Sequence, residues 1–393
     1  MVGEFDDIRS YYDYEINDAM LRIVENPLFE KVAGFLYPDT PFEAVKNRFR
    51  SFDSIKSFQV NVMNNAIQNI LKLTSSGFYF SGMERLSSSK RYLFLSNHRD
   101  VLLDAAILQI ILYSCGHETS EITFGDNLMS SQFVVDIGKS NKMFKLIRGG
   151  SPKQIFVNSL HTSRYIRYCI NEKMQSIWIA QRNGRTKDGD DHTQQAVLKM
   201  LGMSGENDFV KKYSGLNITP LIISYEYDPC DFLKTRELYL SRNKPYVKAP
   251  GEDLNSMLTG IRQHKGHIQM TVAAPVSDDE LLGIGAVHKN EQIEALARLI
   301  DKRVYENYKL WSTHYIAYDI LNGNTFEDLY SPVDRTTFIN YMNMGLSVID
   351  GDRKELESIF LGIYANPVIN YLKINSSGRQ LFQDEIHHFE YTV

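Results

Sequence analysis

From Gly77 to Val276 the sequence alternates short apolar runs with helix-length amphipathic stretches, and this alternation constrains the fold more than any other feature. RYLFLSN, EITFG, SIWIAQ and NITPLIISYE are short and nearly continuously apolar, the pattern of strands buried on both faces. Between them, VLLDAAILQIILYS, SQFVVDIGKS, the stretch from Ile155 to Met174 and TQQAVLKMLGMSG carry apolar residues at helical spacing. Strands that alternate with helices predict an α/β fold, a mixed sheet flanked by helices. GFYFSGMERL opens the region and HIQMTVAAPV reads as its last strand.

Helical patterns flank this region on both sides. The chain therefore divides into an N-terminal helical segment (1–75), an α/β domain (76–277) and a C-terminal helical segment (278–393). Hydrophobic residues make up 43% and charged residues 23%, enough apolar surface for a full core, which excludes disorder as the main state. Lys plus Arg number 43 against 48 Asp plus Glu, a formal charge of −5, and this balance disfavours a nucleic-acid-coating role. The three cysteines, Cys115, Cys169 and Cys230, have neither disulfide-framework nor zinc spacing and fit a reducing, cytoplasmic setting. The acidic N-terminus lacks the apolar core of a secretory signal, and no run approaches the roughly 18 apolar residues of a spanning helix. The expectation is a soluble protein, or one peripheral on the inner face of a membrane. Phe52 to Leu73, with Phe58, Val62, Ile67, Ile70 and Leu71, is a candidate membrane-facing helix, and the same face suits packing on the α/β domain equally well.

Three segments carry residues suited to chemistry. In the first, a buried strand ends in Ser96-Asn97-His98-Arg99-Asp100, followed by Asp104 near the start of a helix. A histidine there sits on a rigid support, and a carboxylate on one ring nitrogen leaves the other basic, which is how a general base is oriented. Asp100 stands where an N-cap would, and His98 would serve equally as a structural turn residue. His98-Arg99-Asp100 is not a kinase catalytic loop: Ala105 occupies the place of the required Asn, and no DFG occurs.

In the second segment the strand SIWIA delivers Arg182, Asn183, Gly184, Arg185 and Lys187 in a glycine-containing loop. It is either a phosphate cradle of guanidiniums and backbone N–H groups or a solvated basic turn. The third, Lys139, Lys142, Lys145 and Arg148, has a spacing that lines the lysines along one slanting face, most simply a wet one. Arg148, ahead of two glycines, is the member best placed to reach a ligand. His117, His192, His264 and His267 have no metal-ligand spacing and read as surface or structural residues.

In this order, and followed by Pro220-Leu221-Ile222, these segments resemble the motifs of the glycerolipid acyltransferase family, which includes glycerol-3-phosphate and 1-acylglycerol-3-phosphate acyltransferases. Asn97-His98-Arg99 matches the opening of the first motif, Phe144 to Arg148 the second, Asn183-Gly184-Arg185-Thr186 the third, and the Pro220 segment the fourth. The resemblance covers roughly residues 77 to 275 and departs from the family twice. The family's Asp falls five residues after its His, where this chain has Leu103, so that a one-residue insertion would bring in Asp104, and otherwise Asp100 would orient the ring from the other side. Asn183 stands where the family has Glu.

The resemblance implies acyl transfer from acyl-CoA or acyl carrier protein to a hydroxyl of glycerol 3-phosphate or a lysophospholipid, at a membrane surface and without a metal or redox cofactor. It implies His98 as general base, oriented by Asp104 or Asp100. Asn97, Arg99, Arg148, Arg182, Asn183, Gly184, Arg185 and Lys187 would contact the substrate. A non-catalytic lipid- or phosphate-binding protein on the same scaffold is the main alternative, supported by the displaced Asp and the lost Glu. Hydrolysis of an acyl thioester is another, although no GxSxG elbow is present.

Overall fold

The computed structural model describes residues 3–129, 131–376, 380 and 385–391. Among the described residues eight strands form one sheet: β1 (Gly77–Ser81), β2 (Leu93–Ser96), β3 (Glu121–Gly125), β4 (Met143–Leu146), β5 (Ile177–Ala180), β6 (Ile218–Tyr225), β7 (His267–Val272) and β8 (His387–His388). Their order is β4-β3-β5-β2-β6-β7-β1-β8. The first five run parallel, β7 is antiparallel to β6, β1 is parallel to β7, and β8 closes the edge antiparallel to β1. The α/β class and the mixed, helix-flanked sheet expected from the sequence are what the chain adopts.

β2 sits mid-sheet, with Leu93 opposite both Ile177 of β5 and Ile218 of β6. Every residue of β2, β5 and β6 is buried, which is why these strands read as unbroken apolar runs rather than as alternation. Successive side chains still leave on opposite faces. Leu93 and Leu95 pack with Ile166, Ile170, Ile300 and Val304 on one face. Phe94 packs with Leu103, Ile107, Ile111 and Leu71 on the other. Truncating such a fully buried Leu to Ala removes about 2–5 kcal/mol, so these layers fix the height at which the loop after β2 emerges.

The structure departs from the sequence reading in three places and decides between two readings in a fourth. HIQMTVAAPV is not the last strand, because two residues near the C-terminus, His387 and His388, pair with Phe80 and Tyr79 as β8. Two helices, Asp231–Ser241 and Glu252–Arg262, lie before β7 in a stretch assigned no element from the sequence. The first has little helical periodicity, but Leu254, Met257, Leu258 and Ile261 of the second recur at helical spacing. Of the two readings of the Phe52 to Leu73 face, the structure takes the packed one. Phe58 and Val62 join a cluster of N-terminal helices with Ile16, Phe29 and Phe133, while Ile67, Ile70 and Leu71 pack against the sheet. The slanting lysine face does not form, since the helix Gln132–Ser140 ends before Lys142, which takes a left-handed turn (φ 58°), and Lys145 lies in β4.

The C-terminal helices Ser312–Asn322, Pro332–Leu346 and Arg353–Leu372 gather Ile316, Phe338, Leu346, Phe360 and Tyr364 into a further core cluster. Among the described residues no helix is long and apolar enough to cross a membrane.

Candidate active site

The five parallel strands end on the same edge of the sheet, the edge where α/β folds bind ligands. The loops after β2, β3, β4 and β5 surround a cavity there of about 140 Å³, lined by His98, Gly125, Arg148, Trp178, Gly184, Arg185 and Lys187 among others. Segments far apart in sequence thus meet because parallel connections return each strand's carboxyl end to one side.

His98 follows β2 directly and is 14% exposed. Its Nδ1 lies 2.8 Å from Asp104 Oδ2, and its ring packs edge-on to Trp178 at 5.4 Å. Asp104, in the first turn of the helix Leu103–Ser114, is completely buried. Its Oδ2 also accepts the backbone N–H groups of Arg99 (2.6 Å) and Asp100 (2.9 Å), and its Oδ1 accepts the Tyr225 hydroxyl (2.8 Å). Three donors besides the imidazole therefore hold this carboxylate in place. Burial, reinforced by the neighbouring Asp104, raises the Tyr225 hydroxyl well above its ordinary pKa and keeps it a donor. With Nδ1 engaged, Nε2 is the ring nitrogen left free, and it makes no hydrogen bond among the described residues.

Asp100 faces away from the ring. Its Oδ1 accepts from the backbone of Leu102 (2.9 Å) and Leu103 (2.8 Å), which caps the helix, and its Oδ2 is buried without a partner. Burial and the nearby Asp104 push its pKa up. Gly260 lies so close that a Cβ there would stand 2.0 Å from Asp100 Oδ2. The helix Glu252–Arg262 can seat over this carboxyl only because position 260 has no side chain.

The cationic residues divide. Arg148, Arg185 and Lys187 line the cavity, Arg148 lying over Gly125 and Lys187 paired with Glu237. Arg185 Nη1 is buried without a partner. Burial holds the Arg148 pKa below its ordinary value, against the pull of Asp126. Arg182 and Asn183 are not among the lining residues: Arg182 donates to the Asp190 carbonyl (3.2 Å), and Asn183 is exposed, with its N–H on Gln194.

Asn97 and Arg99, expected from the sequence as substrate contacts, face inward instead. Asn97 donates to Asp191 and to the Ile223 carbonyl, both at 2.9 Å, and accepts from the Ile223 N–H (2.8 Å). Arg99 is 1% exposed and bridges Asp191 (2.7 Å) and Asp228 (2.9 Å), with the Gly189 carbonyl at 3.2 Å. Lys234 completes the cluster on Asp228. Burial opposes the guanidinium charge, but Asp191 and Asp228 more than offset it and raise the Arg99 pKa.

Sequence reasoning missed Asp191, which lay inside a stretch read only as a polar loop. Its Oδ1 accepts Thr186 Oγ1 (2.6 Å), and the Thr186 N–H donates to the His98 carbonyl (2.7 Å), so this one carboxylate ties the basic loop to the histidine loop. The acidic pair Asp190-Asp191 beside a glycine was its only local signal. Trp178 and Tyr225 left no local signal beyond strand apolarity.

No family model matches the sequence, and no curated protein matches it either. Among solved structures, the 1-acyl-sn-glycerophosphate (LPA) acyltransferase PlsC from Thermotoga maritima aligns with 76% of this chain and 96% of its own. The identity is 11% and the TM-score 0.38. A likeness this loose carries neither residues nor chemistry across, and the site stands on its own geometry.

Proposed function

We propose that the protein is an acyltransferase that moves an acyl group from a thioester, acyl-CoA or acyl carrier protein, to a hydroxyl of a phosphate-bearing acceptor such as glycerol 3-phosphate or a lysophospholipid. The observation that carries the reading is His98 Nδ1 at 2.8 Å from a buried Asp104, at a cavity that also holds Arg148, Arg185 and Lys187. The acceptor hydroxyl gives its proton to Nε2 as its oxygen attacks the thioester carbonyl. Collapse of the tetrahedral adduct breaks the C–S bond, and the thiolate takes the proton back from the imidazolium. General-base help of this kind is worth about 10²- to 10⁴-fold. The cations hold the acceptor's phosphate, so that its hydroxyl meets the donor already oriented. The work on a lipid acceptor would take place at a membrane surface.

The test is thiol release from a long-chain acyl-CoA, with and without glycerol 3-phosphate or lysophosphatidate, paired with detection of the acylated product. The expected result is acceptor-dependent release that His98→Ala lowers by about 10³-fold while the variant melts like the wild type. Full activity in His98→Ala overturns the base assignment. Release independent of any acceptor makes the protein a thioester hydrolase, and binding without release makes it a carrier.

A further inference from the structure

A second cavity, of about 160 Å³, lies at the opposite edge of the sheet and shares no lining residue with the His98 cavity. It opens beside the residues that precede β3 and β4, at the amino ends of the parallel strands. Its walls are apolar, with Val60, Met63 and Ile67 facing Ile110 and Tyr113 of the helix Leu103–Ser114. Gln59, Val60, Met63 and Asn64 belong to a π-helical segment, Gln59–Asn64, between two α-helical stretches. Such wide turns are rare, and where they occur they frequently mark functional sites.

One end of the cavity is polar and carries a largely sheltered cation, Lys142, while the other lining lysine, Lys56, is exposed. Lys142 is 12% exposed along its side chain, and its Nζ donates to the Thr119 carbonyl at 3.1 Å. The nearest carboxylate, Glu118, is 3.9 Å away on a side chain that is 60% exposed. Lys142 holds this place from a left-handed backbone conformation that residues other than Gly and Asn rarely adopt. Around it stand the amides of Asn141 and Gln59, which bond each other at 3.0 Å, with Gln59 also accepting from Thr119 (2.8 Å). Burial lowers the Lys142 pKa to about 8, which is the cost an anionic partner would offset.

We infer that this cavity binds a fatty carboxylate, its headgroup on Lys142 and Asn141 and its tail between the π-helical wall and Ile110. Of the other basic lining residues Lys56 is exposed and His117 partly so, which leaves Lys142, beside the Asn141 and Gln59 amides, as the one sheltered charge. It matches a single negative charge, and Glu118 near Nζ disfavours a dianion such as a phosphate monoester. The end of an acyl chain threaded from the His98 cavity is the wrong chemistry for this place, because a methyl terminus gains nothing beside a buried ammonium.

The inference is independent of the acyl-transfer reading and is tested by calorimetric titration of the full chain with sodium octanoate and, separately, with 1-octanol. Octanoate is expected to bind one per chain. Lys142→Asn, which keeps the left-handed turn, is expected to weaken octanoate by about 10- to 100-fold and octanol by less than about twofold. Ile110→Trp, which fills the cavity, is expected to remove both ligands, with Val60→Phe as the substitute should Ile110→Trp fail to melt cooperatively. Val101→Phe, in the His98 cavity, is expected to leave octanoate binding unchanged. Absence of octanoate binding to the wild type, affinity unchanged in both Lys142→Asn and the filling variant, or loss of binding in Val101→Phe each overturns the assignment.

Discussion

The segment from Asn97 to Asp104 has two sides that differ in one respect. Behind it, Asn97, Arg99, Asp191, Asp228 and Lys234 form a buried cluster in which each charge faces an opposite one. In front, His98 keeps a ring nitrogen without a partner, and Arg185 keeps a buried Nη1 without one. Behind the loop the charges are paired with one another, with only Arg99 Nε left without a hydrogen bond in that cluster, whereas in front His98 and Arg185 keep uncommitted nitrogens on residues that line the cavity. Unpaired buried atoms occur on both sides, Asp100 Oδ2 and Arg99 Nε included, so it is the cavity in front, with His98 and Arg185 on its wall, that marks the working side.

If that division is right, cutting the rear should cost stability and cutting the front should cost function. The largest effect belongs to Arg99→Met, which strands Asp191 without a cation and leaves Asp228 with Lys234 alone. Breaking a buried ion pair by removing one partner costs about 3–5 kcal/mol, and we expect denaturant unfolding to show a loss of that size. A loss under about 1 kcal/mol would place Arg99 among ordinary surface charges and erase the contrast.

Next comes the carboxylate between the two sides. Asp104→Asn keeps an oxygen for the backbone but changes what faces His98 Nδ1, and we expect turnover to fall by about 10²-fold with KM little changed. Asp100→Asn should cost far less activity, because Asp100 bonds the backbone of Leu102 and Leu103 rather than the imidazole. The reverse ranking would make Asp100 the orienting group.

At the front, Arg185→Gln is expected to raise KM for a phosphate-bearing acceptor by about tenfold. Melting behaviour and turnover at saturation should stay near wild type. An equal rise for an acceptor lacking phosphate would mean that Arg185 shapes the cavity without binding an anion.

Much of this arrangement was legible in the sequence, and the limits of that legibility are physical. His98 at the end of β2 could be seen because a fully buried central strand leaves an unbroken apolar run that stops at a polar turn. The basic loop after β5 showed for the same reason. Which cation faces forward could not be read, since Arg182 and Arg185 are alike in residue type and are separated only by how the turn through Gly184 (φ 76°) aims them. Arg99 looked like a ligand residue because its two carboxylate partners lie 92 and 129 positions away. The edge strand β8 is two residues long and has no periodicity to detect.

The smallest effect concerns two titrating groups beside the rear cluster whose contributions oppose each other. Asp231 accepts hydrogen bonds from Tyr364 (2.6 Å) and Tyr341 (2.9 Å), yet burial raises its pKa to about 6. His314 is buried near Arg99, and burial followed by that charge lowers its pKa to about 3. The unfolded references are near 3.9 for Asp and 6.5 for His. Folded Asp231 binds its proton more readily than the unfolded chain does, so its contribution is most favourable below pH 4 and is lost as pH rises toward 6. Folded His314 binds its proton less readily, so its contribution is full above pH 6.5 and is lost as pH falls toward 3. Between pH 4 and 6 the slopes are opposite, each about 1.4 kcal/mol per pH unit at most, and they nearly cancel. His314→Gln should therefore gain stability relative to wild type on acidification from pH 6 to 4, and Asp231→Asn should lose it, whatever each costs at neutral pH. Parallel pH profiles for wild type and both variants in denaturant unfolding would show that neither group changes its protonation on folding.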